Sequence, residues 1–294
     1  MVSLAPDQLL RTLSEDGSVS VRALVGSELV REAARRHETS PVATAALGRA
    51  LLGALLLASQ GKDGETVELR FRARGPLGHV VAIADDAGRV RGYVSNPGLD
   101  LPLRDGRLDL SKAVGLGELA VVRFRPGWRD PYTGIVPIVS GEIAEDIALY
   151  LTESEQSPSA VALGVYHGED GAPLAAAGFL VQALPGASDE TVVRVESNVR
   201  ELPSLARLVR DGAGAADLVS QLLGGVGQRD LAASSPEFFC ACDGERVLRA
   251  VAMLGRRDLE DAMAQREQLE VRCVFCAERY AVDPEQARAM LRDA

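Results

Sequence analysis

Four cysteines carry the clearest chemistry in the sequence. Cys240 and Cys242 form a C-x-C pair, Cys273 and Cys276 a C-x-x-C pair, and the remaining positions hold no other thiol. Such clustering asks for one shared cause. Two close pairs can hold a single tetrahedral zinc ion as four thiolates, because each pair supplies two sulfurs from a tight turn and the chain between them returns to close the site. Cys240, Cys242, Cys273 and Cys276 are therefore the candidate ligands of one Zn2+. Other readings stay open at this point. The four could be buried apolar thiols. Cys273 and Cys276 could be a thioredoxin-type dithiol, although no βαβ pattern precedes them and Cys240 and Cys242 are then unexplained. A secreted disulfide scaffold is disfavoured, since Met1 to Asp7 begins no signal-like basic and apolar run.

Most four-cysteine zinc sites are structural, and two features here point further. A C-x-C pair sets two metal-held thiolates where an oxidant can join them once one is attacked. The second feature is energetic. Structural zinc contributes roughly 10 to 16 kcal/mol of apparent binding free energy at neutral pH, whereas a core of this tail's size rarely supplies more than about 3 to 5 kcal/mol. Loss of zinc should unfold the segment. Cross-links between immediate neighbours close very small loops and restrict the unfolded chain little, so they would not replace the metal. Oxidation then reads as an order-to-disorder switch.

The rest of the sequence narrows the function by what it lacks. A net charge of −10 opposes phosphate backbones over most of the surface, so nucleic acid is not expected as a partner. Residues 232 to 294 lack the basic stripe that a nucleic-acid-binding zinc module would need. Around Gly61-Lys62, Leu56 and Asp63 stand where a phosphate-binding loop needs Gly and Ser or Thr, so no nucleotide is expected. Gly115 to Ala120 fits a dinucleotide fingerprint only superficially, because it runs into a strand. His37, His79 and His167 are scattered and match no metalloprotease pattern, and no nucleophile elbow or carboxylate pair stands out. No enzyme is expected.

The elements that must position the cysteines divide the chain in three. The apolar stretch from Val42 to Ala58 has Thr39 or Ser40 as N-cap, Pro41 at the first helical position and Gly61 beyond its end. These are the signals of a buried helix rather than a membrane span. Period-two runs at 66–72, 89–94, 119–124 and 135–139 indicate antiparallel sheet. A helix from about Gly141 to Thr152, capped by Ser140, and apolar runs at 159–166 and 174–184 complete an α+β core over 1–186. Residues 187–233, with helical patterns near 197–211 and 215–223 among glycines, read as a metastable helical linker. The tail, 234–294, is the small four-cysteine zinc domain. Its pattern gives helices around 243–254 and 257–266, a hairpin from Leu269 to Val282, and a last helix opened by Asp283-Pro284 with Gln286 completing a capping box.

Nearly the whole chain resembles the 33 kDa chaperonin family, the redox-regulated heat-shock holdases of bacteria. The two cysteine pairs at this separation are the most specific mark. Matching stretches include Ser40-Pro41-Val42-Ala43, Val90 to Pro97, Tyr132 to Pro137 leading into Ser140 to Asp146, Glu153 to Pro158, and Gly178 to Gln182. A single Gly178 precedes Phe179 where the family pattern has a glycine pair. The start, with no signal-like run, reads as cytoplasmic; the resemblance implies an α+β chaperone core, a linker and a C-terminal redox switch in a protein that is inactive when reduced and zinc-bound. It implies disulfides Cys240–Cys242 and Cys273–Cys276 on oxidation, release of zinc, unfolding of switch and linker, and a homodimer that holds unfolded client proteins without ATP. Melting the linker would bare Leu202, Leu205, Leu208, Leu218, Leu222 and Leu223, an apolar surface suited to unfolded chains.

Overall fold

In the computed structural model, which describes residues 5–253 and 269–283, the apolar stretch after Ser40 forms one 18-residue helix, Pro41–Ala58. Ser40 caps it by accepting from the Ala43 N–H at 3.3 Å, and Pro41 occupies the first turn, where a missing N–H costs nothing. By length and composition alone this helix could cross a bilayer. Every residue in it except Pro41 and Arg49 is buried within the protein, so it is a core helix.

The chain divides into two compact units, Met1–Phe238 and Phe239–Ala294. In chain order the first contains β1 (Gln8–Leu13), β2 (Val19–Val25), α1 (Ser27–His37), α2 (Pro41–Ala58), β3 (Thr66–Ala73), β4 (Val80–Asp85) and β5 (Arg89–Val94). Next come α3 (Leu110–Val114), β6 (Gly117–Phe124), β7 (Tyr132–Ile138), α4 (Ala144–Glu153), β8 (Ser159–His167) and β9 (Pro173–Ala183). It ends with α5 (Asp189–Glu201), α6 (Leu205–Arg210), α7 (Ala215–Leu222), β10 (Ala232–Ser234) and β11 (Glu237–Phe238). The second unit contains α8 (Gly244–Ala252), β12 (Leu269–Arg272) and β13 (Arg279–Val282). This is the α+β class expected from the alternation of strand runs and capped helices.

Two sheets sandwich α2. One has the order β10-β1-β2-β9-β8, the other β11-β5-β4-β3-β6-β7. Neighbouring strands are antiparallel except β11 with β5. Leu47, Leu51, Leu52, Leu55 and Leu56 of α2 pack with Leu9 and Leu24 on one side and Val67, Leu69 and Phe71 on the other. The opposite face of the five-stranded sheet carries Val21, Ala23, Ala177, Phe179 and Val181, and α5 to α7 cover it through Val195, Leu205, Val209, Leu218, Val219 and Leu222. That sheet is therefore buried on both faces, and the linker helices supply one of the two covers.

Several boundaries differ from the sequence expectation. The strand runs emerge as β3, β5, β6, β7, β8 and β9, with β4 as an additional strand between β3 and β5 in the sheet. The helix expected from Gly141 begins at Ala144, and Ser140 does not cap it. Buried Asp146 reaches back instead, accepting the N–H groups of Val139, Ser140 and Gly141 at 2.9 to 3.0 Å and of Ile143 at 3.3 Å. The helix expected over 197–211 is two helices, because Pro203 forces Leu202 into an extended conformation and ends α5. The helices expected near 257–266 and after Asp283 lie outside the described residues.

Candidate metal centre

Among the described residues of the second unit, the apolar cluster is small. Among its described residues Val247, Val251 and Val282 form the buried cluster, with Leu248, Val271 and Tyr280 packed against it. Asp243 starts α8 by accepting the Arg246 N–H at 2.7 Å, which fixes the chain just after Cys242. Arg246 also donates to the Ala241 carbonyl at 2.8 Å, holding the residue between Cys240 and Cys242. The C-x-x-C pair sits in the turn joining β12 to β13. There the Cys273 N–H donates to the Glu278 carbonyl and the Ala277 N–H to the Cys273 carbonyl, both at 2.8 Å. Ala277 takes the left-handed φ of +60° that lets this knuckle close.

These local devices bring together all four cysteines singled out from the sequence. Their sulfurs lie within 4.8 Å of one another. The Cys240 and Cys273 sulfurs are 3.9 Å apart and those of Cys242 and Cys276 are 3.2 Å apart. No pair is joined as a disulfide. A tetrahedral zinc ion with Zn–S bonds of about 2.3 Å has ligand sulfurs about 3.8 Å apart, so the cage has the size of a four-thiolate site. The charge argument agrees. Burial pushes the Cys240 and Cys276 thiols above the ordinary value, so four thiolates would not share this space without a cation.

Tyr280 is a contributor that cysteine spacing did not disclose. Its hydroxyl lies 3.1 Å from the Cys242 sulfur and 3.2 Å from the Cys242 carbonyl, and it can donate to either. Burial acts to raise the Cys242 thiol, yet the hydrogen bonds from Tyr280 and the neighbouring cysteines outweigh it and hold that thiol below its ordinary value. The only signal in the sequence was the hairpin itself, which sets Tyr280 opposite Val271. Of the histidines, His37 is buried and meets Phe238 edge to face, a packing role. His167 is lowered to about 4 by burial and by the nearby Arg49 charge, which keeps it neutral.

The comparisons with known proteins decide the family. A family profile described as Hsp33 protein matches residues 7–283. The chain belongs to the Hsp33 family. The 33 kDa chaperonin of Geobacter sulfurreducens is 39% identical over 292 residues, covering 99% of this chain and 97% of its own. The 33 kDa chaperonin of Symbiobacterium thermophilum is 43% identical over 288 residues, covering 97% of both. The crystal structure of the 33 kDa chaperonin from Thermotoga maritima superposes with a TM-score of 0.92 at 34% identity, covering 98% of this chain and 99% of that one. These Hsp33 names denote chaperones, not enzymes, and the fold and the four-cysteine cage agree with the resemblance read from the sequence.

Proposed function

We propose that this Hsp33-family chain is an ATP-independent holdase activated by oxidation. Reduced, with Cys240, Cys242, Cys273 and Cys276 holding one zinc ion, it is inactive; oxidised, it binds unfolding proteins. The observation that carries this reading is the mutual approach of four sulfurs in a unit whose described buried cluster is three valines. Bound zinc would supply the dication that keeps the sulfurs as thiolates and ties the C-x-C segment to the β12–β13 knuckle.

Peroxide-class oxidants fit the chemistry. Two thiolates, one hydrogen peroxide and two protons give one disulfide and two waters, and disulfide sulfurs no longer act as thiolate ligands. The pairing Cys240–Cys242 and Cys273–Cys276 rests on the family resemblance; the cross-pairing Cys240–Cys273 and Cys242–Cys276, with sulfurs 3.9 and 3.2 Å apart, is also within reach, and disulfide mapping distinguishes the two. A reducing cytoplasm would hold the resting state. The proposed organisation is a core over 1–186, a linker over 187–233 and a switch over 234–294.

Client binding follows from what the linker hides. Leu205, Leu218, Leu222 and Leu223 are buried against the five-stranded sheet, and Leu202 and Leu208 are packed partly into the same cluster. Unfolding of α5 to α7 would bare these leucines and the sheet face with Val21, Phe179 and Val181, an apolar patch fit for unfolded chains and for pairing two copies. The test is a peroxide titration of one sample at mildly raised temperature, following zinc, free thiols, helix content, molecular mass and aggregation of an unfolding client. Zinc release and thiol loss should coincide with helix loss, dimer formation and suppression of aggregation. Complete oxidation without client protection would overturn the reading.

A further inference from the structure

In the first unit, β1 and β2 set Arg11 and Arg22 directly opposite each other. Both share the sheet face that Leu9 and Leu24 turn toward α2. Arg11 Nη1 donates to the Ser59 carbonyl at the carboxyl end of α2 at 3.3 Å, and Arg22 Nη1 donates to the Ser20 hydroxyl at 2.8 Å. The Nε–H of each is buried and has no partner. A guanidinium offers five N–H donors, so among the described residues most of this donor capacity is unspent.

The neighbouring charges do not absorb it. Arg123 Nε donates to Glu155 at 2.8 Å, its Nη1 to Glu65 at 3.2 Å and its Nη2 to Gln60 at 3.0 Å. Arg125 takes the other Glu65 oxygen at 2.8 Å, and the Tyr150 hydroxyl donates to Glu155 at 2.7 Å. Two carboxylates thus serve Arg123 and Arg125, and Arg11 and Arg22 remain as the excess. Burial, with Arg11 and Arg123 close by, lowers the Arg22 guanidinium to about 10. The carboxyl end of α2 offsets only about half a unit charge. Among the described residues, no carboxylate forms a hydrogen bond or ion pair with Arg11 or Arg22.

We propose that Arg11 and Arg22, beside Arg123 at the carboxyl end of α2, form a binding site for a small tetrahedral oxyanion of the phosphate class. Two guanidinium forks can each give parallel N–H bonds to such an ion, which chloride cannot accept in that geometry. The test uses the reduced full-length protein and inorganic phosphate, sulfate or chloride at one fixed ionic strength, read by arginine Nε–H resonances and by calorimetry. Phosphate and sulfate should shift the Arg11 and Arg22 resonances saturably, leave those of exposed Arg104 in place, and bind at least tenfold more weakly to Arg22→Gln and Arg11→Gln. Arg22→Lys keeps the charge and guards against a folding defect; it too should weaken binding, because the fork is lost. Equal response to chloride, absence of saturation, or binding unchanged by all three substitutions would each refute the site.

Discussion

At the residue scale, the candidate metal centre has an inner set legible from residue type and an outer contact that was not. Thiolates at C-x-C and C-x-x-C spacing announce themselves because ligand chemistry restricts which side chains can serve. Tyr280 does not, because its bond to Cys242 depends on the register of β12 against β13, and one slip would turn it to the other face. Contacts of this kind orient a ligand and tune its basicity. Tyr280→Phe removes the hydroxyl and keeps the ring packed on the valine cluster, so the fold and the one-ion stoichiometry should survive. Zinc affinity should fall about tenfold or more, measured by competition with a chromophoric chelator. Unchanged affinity would make Tyr280 a packing residue alone.

At the element scale, the linker is the part most easily misread from sequence and the part on which the proposed activity turns. Its short helical patterns correspond to α5, α6 and α7, but neither the break that Pro203 imposes nor the start of α5 at Asp189 was legible in them. Other misses have the same character. The Asp146 carboxylate caps by reaching back along the chain, and backbone conformation rather than composition decides that. Helix α2 was legible because its cap, its proline and its apolar run all agree locally. Leu218 in α7 is fully buried against the five-stranded sheet. Leu218→Ala should destabilise that packing by about 2 to 5 kcal/mol, a large fraction of what helices this short retain. Amides of α7 should then exchange faster in the reduced protein, and aggregation of an unfolding client should be partly suppressed without oxidant. Faster exchange with no gain in client protection would separate linker opening from activity.

At the scale of the whole molecule, the two units differ in what sustains them, and this sets an order of loss. The first unit encloses α2 between two sheets and covers one sheet again with α5 to α7. Among its described residues, the second has three buried valines and a sulfur cage. On the proposed function, zinc binding would supply most of the folding free energy of this unit, roughly 10 to 16 kcal/mol of apparent affinity against about 3 to 5 kcal/mol from a core of this size. Chelation of the metal from the reduced protein should therefore abolish amide protection in β12 and β13 while β2, β3 and β9 stay protected. The α5 to α7 helices have their own buried leucines, so metal loss alone should not remove them at low temperature. They should open on mild heating, before the sheets do, because short helices have little stability apart from that one face. Hydrogen exchange of the metal-free protein as a function of temperature reads all three steps. Protection that persists in β12 and β13 after chelation would mean that the apolar cluster sustains the unit unaided, and the cysteines would then lose their proposed hold over the linker.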